Sequence, residues 1–331
     1  MASTQSIFDQ KPVLPLDICG IVIDMLASNK SNWTSVKKCS CVSRSFLHLC
    51  RKHLFATGKV VTRGARVRLV QLINCAPAIG NYIRHLELSF RECDDGPDDF
   101  LCALQHLTKV ESLTITHGNI LDWRAMLWPV RNALLRLMYL PTLTTLTLSS
   151  VDKFLIPDLV HATNLQCLRF SKIYSTSFFE DSTDAVPVAP MILPEKSLQL
   201  RELHFDSESQ ASGIKEITNA RRFDGLPVID LTGLAFVSIQ CFNVDDMGAL
   251  RTFLKQCEHL EKLDLTSKTF LRLKFFFFSI TLFQYLPTRP LLVLAISSHH
   301  ISEHSRLPAC PNLPILTTIS IWVVFLASWR R

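Results

Sequence analysis

The chain has 331 residues, of which 48% are hydrophobic and 19% are charged, so its composition excludes a disordered polar protein. Ten glycines and eleven cysteines also exclude a collagen-like chain and a small disulfide-rich scaffold. The net charge of +6 comes mostly from the stretch after Phe270, where six Lys or Arg residues accompany one acid, Glu303. Because residues 1–270 are nearly neutral and carry no basic stripe, we expect no binding to nucleic acid.

The N-terminus, Met1 to Gln5, does not begin a basic segment followed by an apolar one, as a secretory signal would. We therefore expect a cytoplasmic and/or nuclear protein whose cysteines are reduced. The sequence also lacks the glycine-rich phosphate-binding loops, the serine-hydrolase elbow and the His-Glu-x-x-His zinc motif. It predicts a protein that is not an enzyme, with no catalytic residue, no cofactor and no metal ion.

The first element in the chain is predicted to be an amphipathic helix over residues 14–26, because its apolar residues recur at helical spacing. The stripe consists of Leu14, Ile18, Ile21 and Met25. A polar stretch at residues 28–32 ends this helix. Apolar residues from Val36 to Cys50 then return at helical spacing and predict a second helical run of about four turns.

Several short motifs in this region occur in a fixed order. They are Leu14-Pro15, Asp17-Ile18, Ile21, Leu26 and Val42-Ser43-Arg44-Ser45-Phe46. In this order the motifs resemble the F-box, although Phe46 stands where that family often has tryptophan. The resemblance implies a three-helix module at residues 12–57 that docks onto the Skp adaptor subunit of a cullin-RING ubiquitin ligase.

A module of this size cannot bury all of its apolar surface, so the surplus surface is a candidate interface. The family pattern implies that the Skp adaptor is contacted by Leu14, Pro15, Ile18, Ile21, Val42, Ser43 and Phe46. The alternative is that these residues pack the module's own core. Residues 58–79 are predicted to form a linker helix to the next region.

Between residues 80 and 270 the six-residue pattern apolar-x-x-apolar-x-apolar occurs seven times. The copies begin at Ile83, Val110, Leu143, Leu165, Leu200, Leu234 and Leu260. Each copy ends in alternating apolar and polar residues, which predicts a strand, and several copies follow a helical run such as 100–107 or 250–257. The repetition predicts an α/β fold in which parallel strands form one layer and helices the other.

This arrangement resembles a leucine-rich-repeat domain, the companion of the F-box in a common class of substrate receptors. Neighbouring copies are between 22 and 35 residues apart, and the Asn or Cys that the family places after the strand is absent, so we expect an irregular solenoid. The outward strand positions are the predicted binding face for an unidentified target protein. Among them we select Glu87, Thr114, Thr147, Arg169, His204, Asp206, Lys262 and Asp264. Two inserts, residues 172–197 and 207–227, are predicted to be loops.

The repeat pattern stops at residues 271–331, which form an apolar tail. Residues 307–329 carry no charge, and within them residues 315–329 are the span suited to a helix. We consider three interpretations: an unstructured extension, a misassigned exon and, as a minor alternative, a membrane anchor.

Together these features predict the substrate-recognition adaptor of a Skp-cullin-F-box ligase. The first module would bind the Skp adaptor, and through it cullin, and the repeats would bind the target protein. A repeat-based scaffold that joins no ligase, and a tail-anchored membrane form of it, are the alternatives.

Overall fold

The computed structural model describes residues 15–90, 98–171, 193–206, 210–240, 246–267, 292–300 and 317–325. The helices are α1 (Leu16–Ser28), α2 (Trp33–Ser40), α3 (Arg44–Leu54), α4 (Arg63–Cys75), α5 (Asp98–Gln105), α6 (Trp128–Met138), α7 (Gln210–Asn219) and α8 (Asp246–Gln256). The first strands are β1 (Thr57–Val60), β2 (His85–Phe90), β3 (Ser112–Asp122), β4 (Thr145–Asp152), β5 (Cys167–Ser171) and β6 (Leu198–Gln199). The remaining strands are β7 (Glu202–Asp206), β8 (Ile229–Asp230), β9 (Phe236–Gln240), β10 (Lys262–Ser267), β11 (Leu292–His300) and β12 (Thr317–Phe325).

The fold is α/β, with one large and mostly parallel sheet. Its strand order is β1-β2-β3-β4-β5-β7-β9-β10-β12-β11, and the first eight strands of this order run parallel. Strands β6 and β8 form a separate two-stranded parallel sheet. Parallel neighbours need crossover connections, and several of these contain a helix. Buried residues of α4–α8 share one cluster with the buried strand residues, so these helices pack on one side of the sheet.

The seven copies of the six-residue pattern all form strands of the large sheet, as predicted. Their middle apolar residues are direct register partners across the sheet. This row consists of Leu86, Leu113, Leu146, Leu168, Leu203, Val237 and Leu263. Every member of the row is buried, so the alternation of each strand sends its apolar residues into the core and its polar residues to the opposite face.

The main core lies between the apolar face of the large sheet and helices α4–α8. Buried residues from each of these helices join the same continuous cluster as the strand residues. Aromatic rings run through it from strand to strand: Trp123 and Phe154 have centroids 4.9 Å apart, and Phe170 stacks on Phe205 at 5.3 Å. These ring contacts join neighbouring copies within the core.

A backbone ladder also joins successive copies just before each strand. The N–H groups of Glu111 and Ser112 both donate to the carbonyl oxygen of Arg84, at 2.7 and 3.0 Å. Those of Thr144 and Thr145 donate to the carbonyl oxygen of Glu111 at 2.9 and 3.1 Å. The same paired pattern recurs at the carbonyl oxygens of Ala56, Thr144, Gln166, Arg201 and Ala235. The ladder therefore fixes the register of all seven copies without using a side chain.

Helices α1–α3 pack around a small core of their own, formed by Ile23, Val36 and Cys50. The prediction of one helical run from Val36 to Cys50 is wrong, because the chain turns at residues 41–42 and separates α2 from α3. The cause is local. Ser43 is the N-cap of α3, and its Oγ accepts a hydrogen bond from the N–H of Phe46 at 3.3 Å.

The segment predicted as a linker helix contains α4, but strand β1 precedes that helix and pairs in parallel with β2. Helix α4 is anchored to the first copy by Arg66, which is buried. Its guanidinium donates to the carbonyl oxygen of Ser89 at 2.7 Å and lies over the rings of Phe90 and Phe100. This segment therefore packs as part of the sheet layer and the helix layer.

The prediction of a loop over the insert at residues 207–227 is wrong for residues 210–219, which form α7. Ile214 and Ile217, three residues apart, bury one face of this short helix in the main core. Most of the other insert, residues 172–192, lies outside the described residues.

Two parts of the apolar tail are described, and both are strands. β12 pairs antiparallel with β10 and with β11, so the tail extends the large sheet. The prediction of a helical span over residues 315–329 is therefore wrong for residues 317–325, whose β-branched and aromatic residues favour a strand. Among the described residues, no helix is both long enough and apolar enough to cross a bilayer.

Candidate interaction surfaces

Helix α1 exposes an apolar face. Ile18, Ile21 and Met25 are 44%, 56% and 68% exposed, and Val22 lies beside them. Their spacing of three and four residues places them on one side of the helix. We call these four residues the α1 face. The opposite side supplies Cys19 and Ile23 to the interior of the module. Exposed apolar residues grouped in this way are typical of a binding surface.

The other residues predicted to contact the Skp adaptor are distributed around the same module. Leu14 lies outside the described residues, whereas Pro15 is exposed immediately before α1. Val42 is 68% exposed in the turn between α2 and α3, and Ser43 is exposed beside it. Phe46 differs from them, because it packs against the small core of the module. It therefore has a structural role within the module.

An ion-pair cluster fixes α1 against α3. The carboxylate of Asp24 lies 2.6 Å from Lys52 Nζ and 2.7 Å from His53 Nε2. The hydrogen bonds from these two side chains lower the pKa of Asp24 below its ordinary value. The cluster lies beside the α1 face in sequence and joins α1 to α3.

The second surface is the polar face of the large sheet, formed by the strand residues that alternate with the buried ones. Six of the eight residues predicted to bind a target belong to one row of register partners on this face. They are Glu87, Thr114, Thr147, Arg169, His204 and Asp264, with Ser238 completing the row. Asp206 and Lys262 each lie two positions along a strand from this row and share its face. The structure therefore brings all eight to one surface.

The charge on this surface is unevenly distributed along the row. At one end, Glu87 pairs with Lys59 of β1 at 3.0 Å. The next two members, Thr114 and Thr147, are neutral and half-buried. The other charged members, Arg169 and Asp264, lie on β5 and β10, and His204 lies between them on β7. The most varied side chains of the row are therefore at this second end.

A connected group of polar side chains occupies β5 and β7. Arg169 Nε donates to Cys167 Sγ at 3.3 Å, and Arg169 Nη2 lies 3.7 Å from Glu202 Oε2. The same carboxylate oxygen lies 3.3 Å from His204 Nε2. Cys167 was not among the predicted binding residues. The strand alternation could have identified it: Cys167 directly precedes Leu168, the buried middle residue of its copy, and therefore points to the polar face.

The neighbouring strands β9 and β10 extend this group. The ring of His204 packs edge-on against Phe236 with centroids 5.0 Å apart, and Lys262 Nζ lies 5.0 Å from the centre of the same ring. Oδ1 of Asp264 is buried and makes no hydrogen bond to any residue that the structure describes. Burial also raises the pKa of Asp264 above its ordinary value.

Burial changes the proton affinities within the group on β5 and β7. It raises the pKa of the Cys167 thiol and lowers that of His204, where the hydrogen bond with Glu202 opposes the effect. Burial also acts to raise the pKa of Glu202, but hydrogen bonds with His204 and Cys167 outweigh it and lower that pKa. At neutral pH these shifts favour a neutral thiol, a neutral imidazole and an ionised carboxylate.

No protein-family model matches this chain, and no curated protein matches it either. The α1 face offers apolar contact area, and the polar face of the sheet offers hydrogen bonds and charges.

Proposed function

We propose that this protein is the substrate-recognition adaptor of a Skp-cullin-F-box ubiquitin ligase. In this proposal α1–α3 form an F-box that binds the Skp adaptor, and the seven copies form an irregular leucine-rich-repeat domain that binds a target protein. The observation that carries the proposal is the exposure of Ile18 and Ile21 at positions where the F-box motif has its docking residues.

Two further properties of the small module support docking through the α1 face. The core cluster of the module contains only three fully buried residues among those described. Even so, the apolar side chains of Ile21 and Met25 remain in solvent instead of adding to that core. The ion pairs of Asp24 with Lys52 and His53 join α1 to α3, and a pre-organised α1 would lower the entropic cost of binding a partner.

The polar face of the sheet supports the target-binding half of the proposal. It combines fixed charges, such as Arg169, with half-buried threonines and the aromatic ring of Phe236. Arg and aromatic residues are the types that most often dominate binding energy at protein interfaces. Recognition by such a face would be specific for the charge pattern of one target.

The mechanism of such an adaptor is proximity. A target held on the same scaffold as the ligase machinery meets the ubiquitin-conjugating enzyme at a high effective concentration. The chemical step then needs no catalytic side chain in this chain. The ligase acts in the cytoplasm and nucleus, and the eight cysteines found in the described part of the chain are free thiols, which suits a reducing compartment.

The test is binding of the purified full chain to a purified Skp adaptor. We expect wild type to form a stable complex, and Ile21→Glu to weaken it at least about tenfold, because a charge on the α1 face would be buried without a partner. Ile120→Glu is the matched control, since Ile120 is 47% exposed but lies on β3. That variant should bind as wild type does.

Two results would contradict the proposal. One is a folded wild-type protein that does not bind the Skp adaptor, which would favour a repeat-based scaffold that joins no ligase. The other is equal binding by wild type and Ile21→Glu, which would show that the α1 face is not the docking surface. Circular dichroism of each variant separates loss of binding from loss of folding.

A further inference from the structure

Cys167, Glu202 and His204 bring three metal-ligating atoms together on the polar face. Their Sγ, carboxylate oxygen and imidazole nitrogen all lie within 4.8 Å of one another. The sheet explains the grouping: Cys167 and Glu202 are register partners on neighbouring parallel strands, and His204 follows Glu202 by two residues on the same face. Within the part of the chain that the structure describes, it is the one group of three or more His, Cys, Asp or Glu residues whose ligand atoms lie this close together.

We propose that Cys167, Glu202 and His204 form a Zn²⁺ site whose fourth position is open to water or to a donor atom of a bound protein. The proposal changes the expectation of no metal, and it does not depend on the ligase role. A thiolate, an imidazole and a carboxylate are all ligands that zinc accepts, and three protein ligands with one open position are a common zinc arrangement.

The distances suit a tetrahedral ion. With bonds of about 2.0–2.1 Å to nitrogen and oxygen, two such ligands on one tetrahedral zinc lie about 3.3 Å apart. Glu202 Oε2 and His204 Nε2 are separated by 3.3 Å. Cys167 Sγ lies within 4.8 Å of both atoms, so a shift of roughly 1 Å brings it to the separation of about 3.5 Å that a zinc–sulfur bond of about 2.3 Å requires.

The surroundings favour zinc over other occupants. The thiolate disfavours Mg²⁺ and Ca²⁺, which prefer oxygen ligands, and the single carboxylate gives such ions too few of them. Arg169 Nε already donates to Cys167 Sγ and would serve as the outer partner that orients the sulfur. The edge-on contact with Phe236 similarly fixes the ring of His204. Zinc binding would release the proton of the buried thiol.

A nucleophilic Cys-His pair is the other chemistry that these side chains suggest. Such a pair needs the thiol and the imidazole within hydrogen-bond reach of each other. Here Arg169 Nε donates to Cys167 Sγ at 3.3 Å, and His204 Nε2 lies 3.3 Å from Glu202 Oε2. This geometry fits a metal site better than a nucleophile.

The test uses the full chain prepared free of metal and titrated with Co²⁺, followed by displacement with Zn²⁺. We expect one ion per chain, the visible absorption of tetrahedral cobalt and a thiolate-to-cobalt charge-transfer band. Cys167→Ser should abolish that band. Glu202→Gln, which keeps the shape of the side chain, should weaken Zn²⁺ binding beyond the roughly 10- to 100-fold loss that removal of an outer-shell partner causes.

Matched controls remove the same chemical groups elsewhere in the repeat region. Glu111→Gln removes an exposed carboxylate that directly precedes β3, and Cys102→Ser removes an exposed thiol from α5. Both variants should bind cobalt and zinc as wild type does. The proposal is overturned if wild type shows no saturable tetrahedral cobalt spectrum, or if the charge-transfer band survives Cys167→Ser. It is also overturned if a folded Glu202→Gln variant binds Zn²⁺ with unchanged affinity.

Discussion

Ile21 and Ile23 are two residues apart on α1 and face opposite directions: Ile21 is 56% exposed, whereas Ile23 is 1% exposed. The helix is therefore apolar on two sides, and one side packs the small core with Val36 and Cys50. The other side remains in solvent. An apolar face that the module does not use for its own stability is available to a partner, and this separation of roles can be measured.

We predict that Ile23→Ala lowers the free energy of unfolding by about 2–5 kcal/mol, because it leaves a cavity in the small core. Ile21→Ala should change it by less than about 0.5 kcal/mol, since its side chain is already in solvent. Urea denaturation followed by circular dichroism measures both variants. Similar losses in the two variants would show that α1 has a different orientation.

A buried carboxylate organises the middle of the repeat region. Asp158 Oδ2 accepts hydrogen bonds from Trp123 Nε1 and from Arg131 Nη2, both at 2.7 Å. We predict that Asp158→Ala destabilises the protein by about 3–5 kcal/mol, because it leaves a largely buried guanidinium without its counter-charge. Asp17→Ala, at an exposed position on α1, is the control and should stay within about 0.5 kcal/mol of wild type. Equal effects of the two variants in urea denaturation would contradict this role.

Asp24 predicts a defined dependence of stability on pH. Because its pKa in the folded protein is lowered from the ordinary 3.8, the ionised carboxylate stabilises the fold above that pH. This contribution is lost as the pH falls through the lowered value of the folded state. Asp24→Asn should therefore be less stable than wild type at neutral pH, and the difference should shrink in acid.

Urea denaturation at neutral pH and at several values below pH 4 measures this difference. Asp17→Asn is the control, since it removes the same charge from α1 and leaves the contacts of Asp24 with Lys52 and His53 intact. A difference between wild type and Asp24→Asn that stays constant down to the acid limit would contradict the ion-pair assignment.

Two glycines of the helix layer should respond in opposite ways to alanine. A Cβ atom on Gly80 would lie 2.5 Å from the carbonyl oxygen of His106, which is backbone and cannot easily move. We expect Gly80→Ala to destabilise the protein by about 1–3 kcal/mol. Gly64 lies in α4 with no atom within 4 Å of such a Cβ, so Gly64→Ala should stabilise the helix by up to about 1 kcal/mol. Thermal unfolding of both variants tests the signs, and a stable Gly80→Ala protein would contradict the close approach.

The strands of the repeat region could be predicted because their signal is local. In each copy, such as the one that contains Leu146 and Leu148, two buried residues alternate with polar ones, and this period of two specifies both the strand and the direction of its side chains. The eight predicted binding residues consequently share one face. Residue periodicity also predicted that α1 is a helix. It could not predict which of the two apolar sides of α1 is buried.

The amino-acid sequence by itself determined the α/β alternation, the seven strands and their polar face, because these depend on residue periodicity within a short segment. Tertiary structure alone decided the exposure of Ile21, the entry of β1 into the sheet and the backbone ladder between copies. It also decided that Cys167 meets Glu202 and His204. These relationships join residues that are far apart in the chain, and their distance is set by strand register and helix packing, which no local pattern encodes.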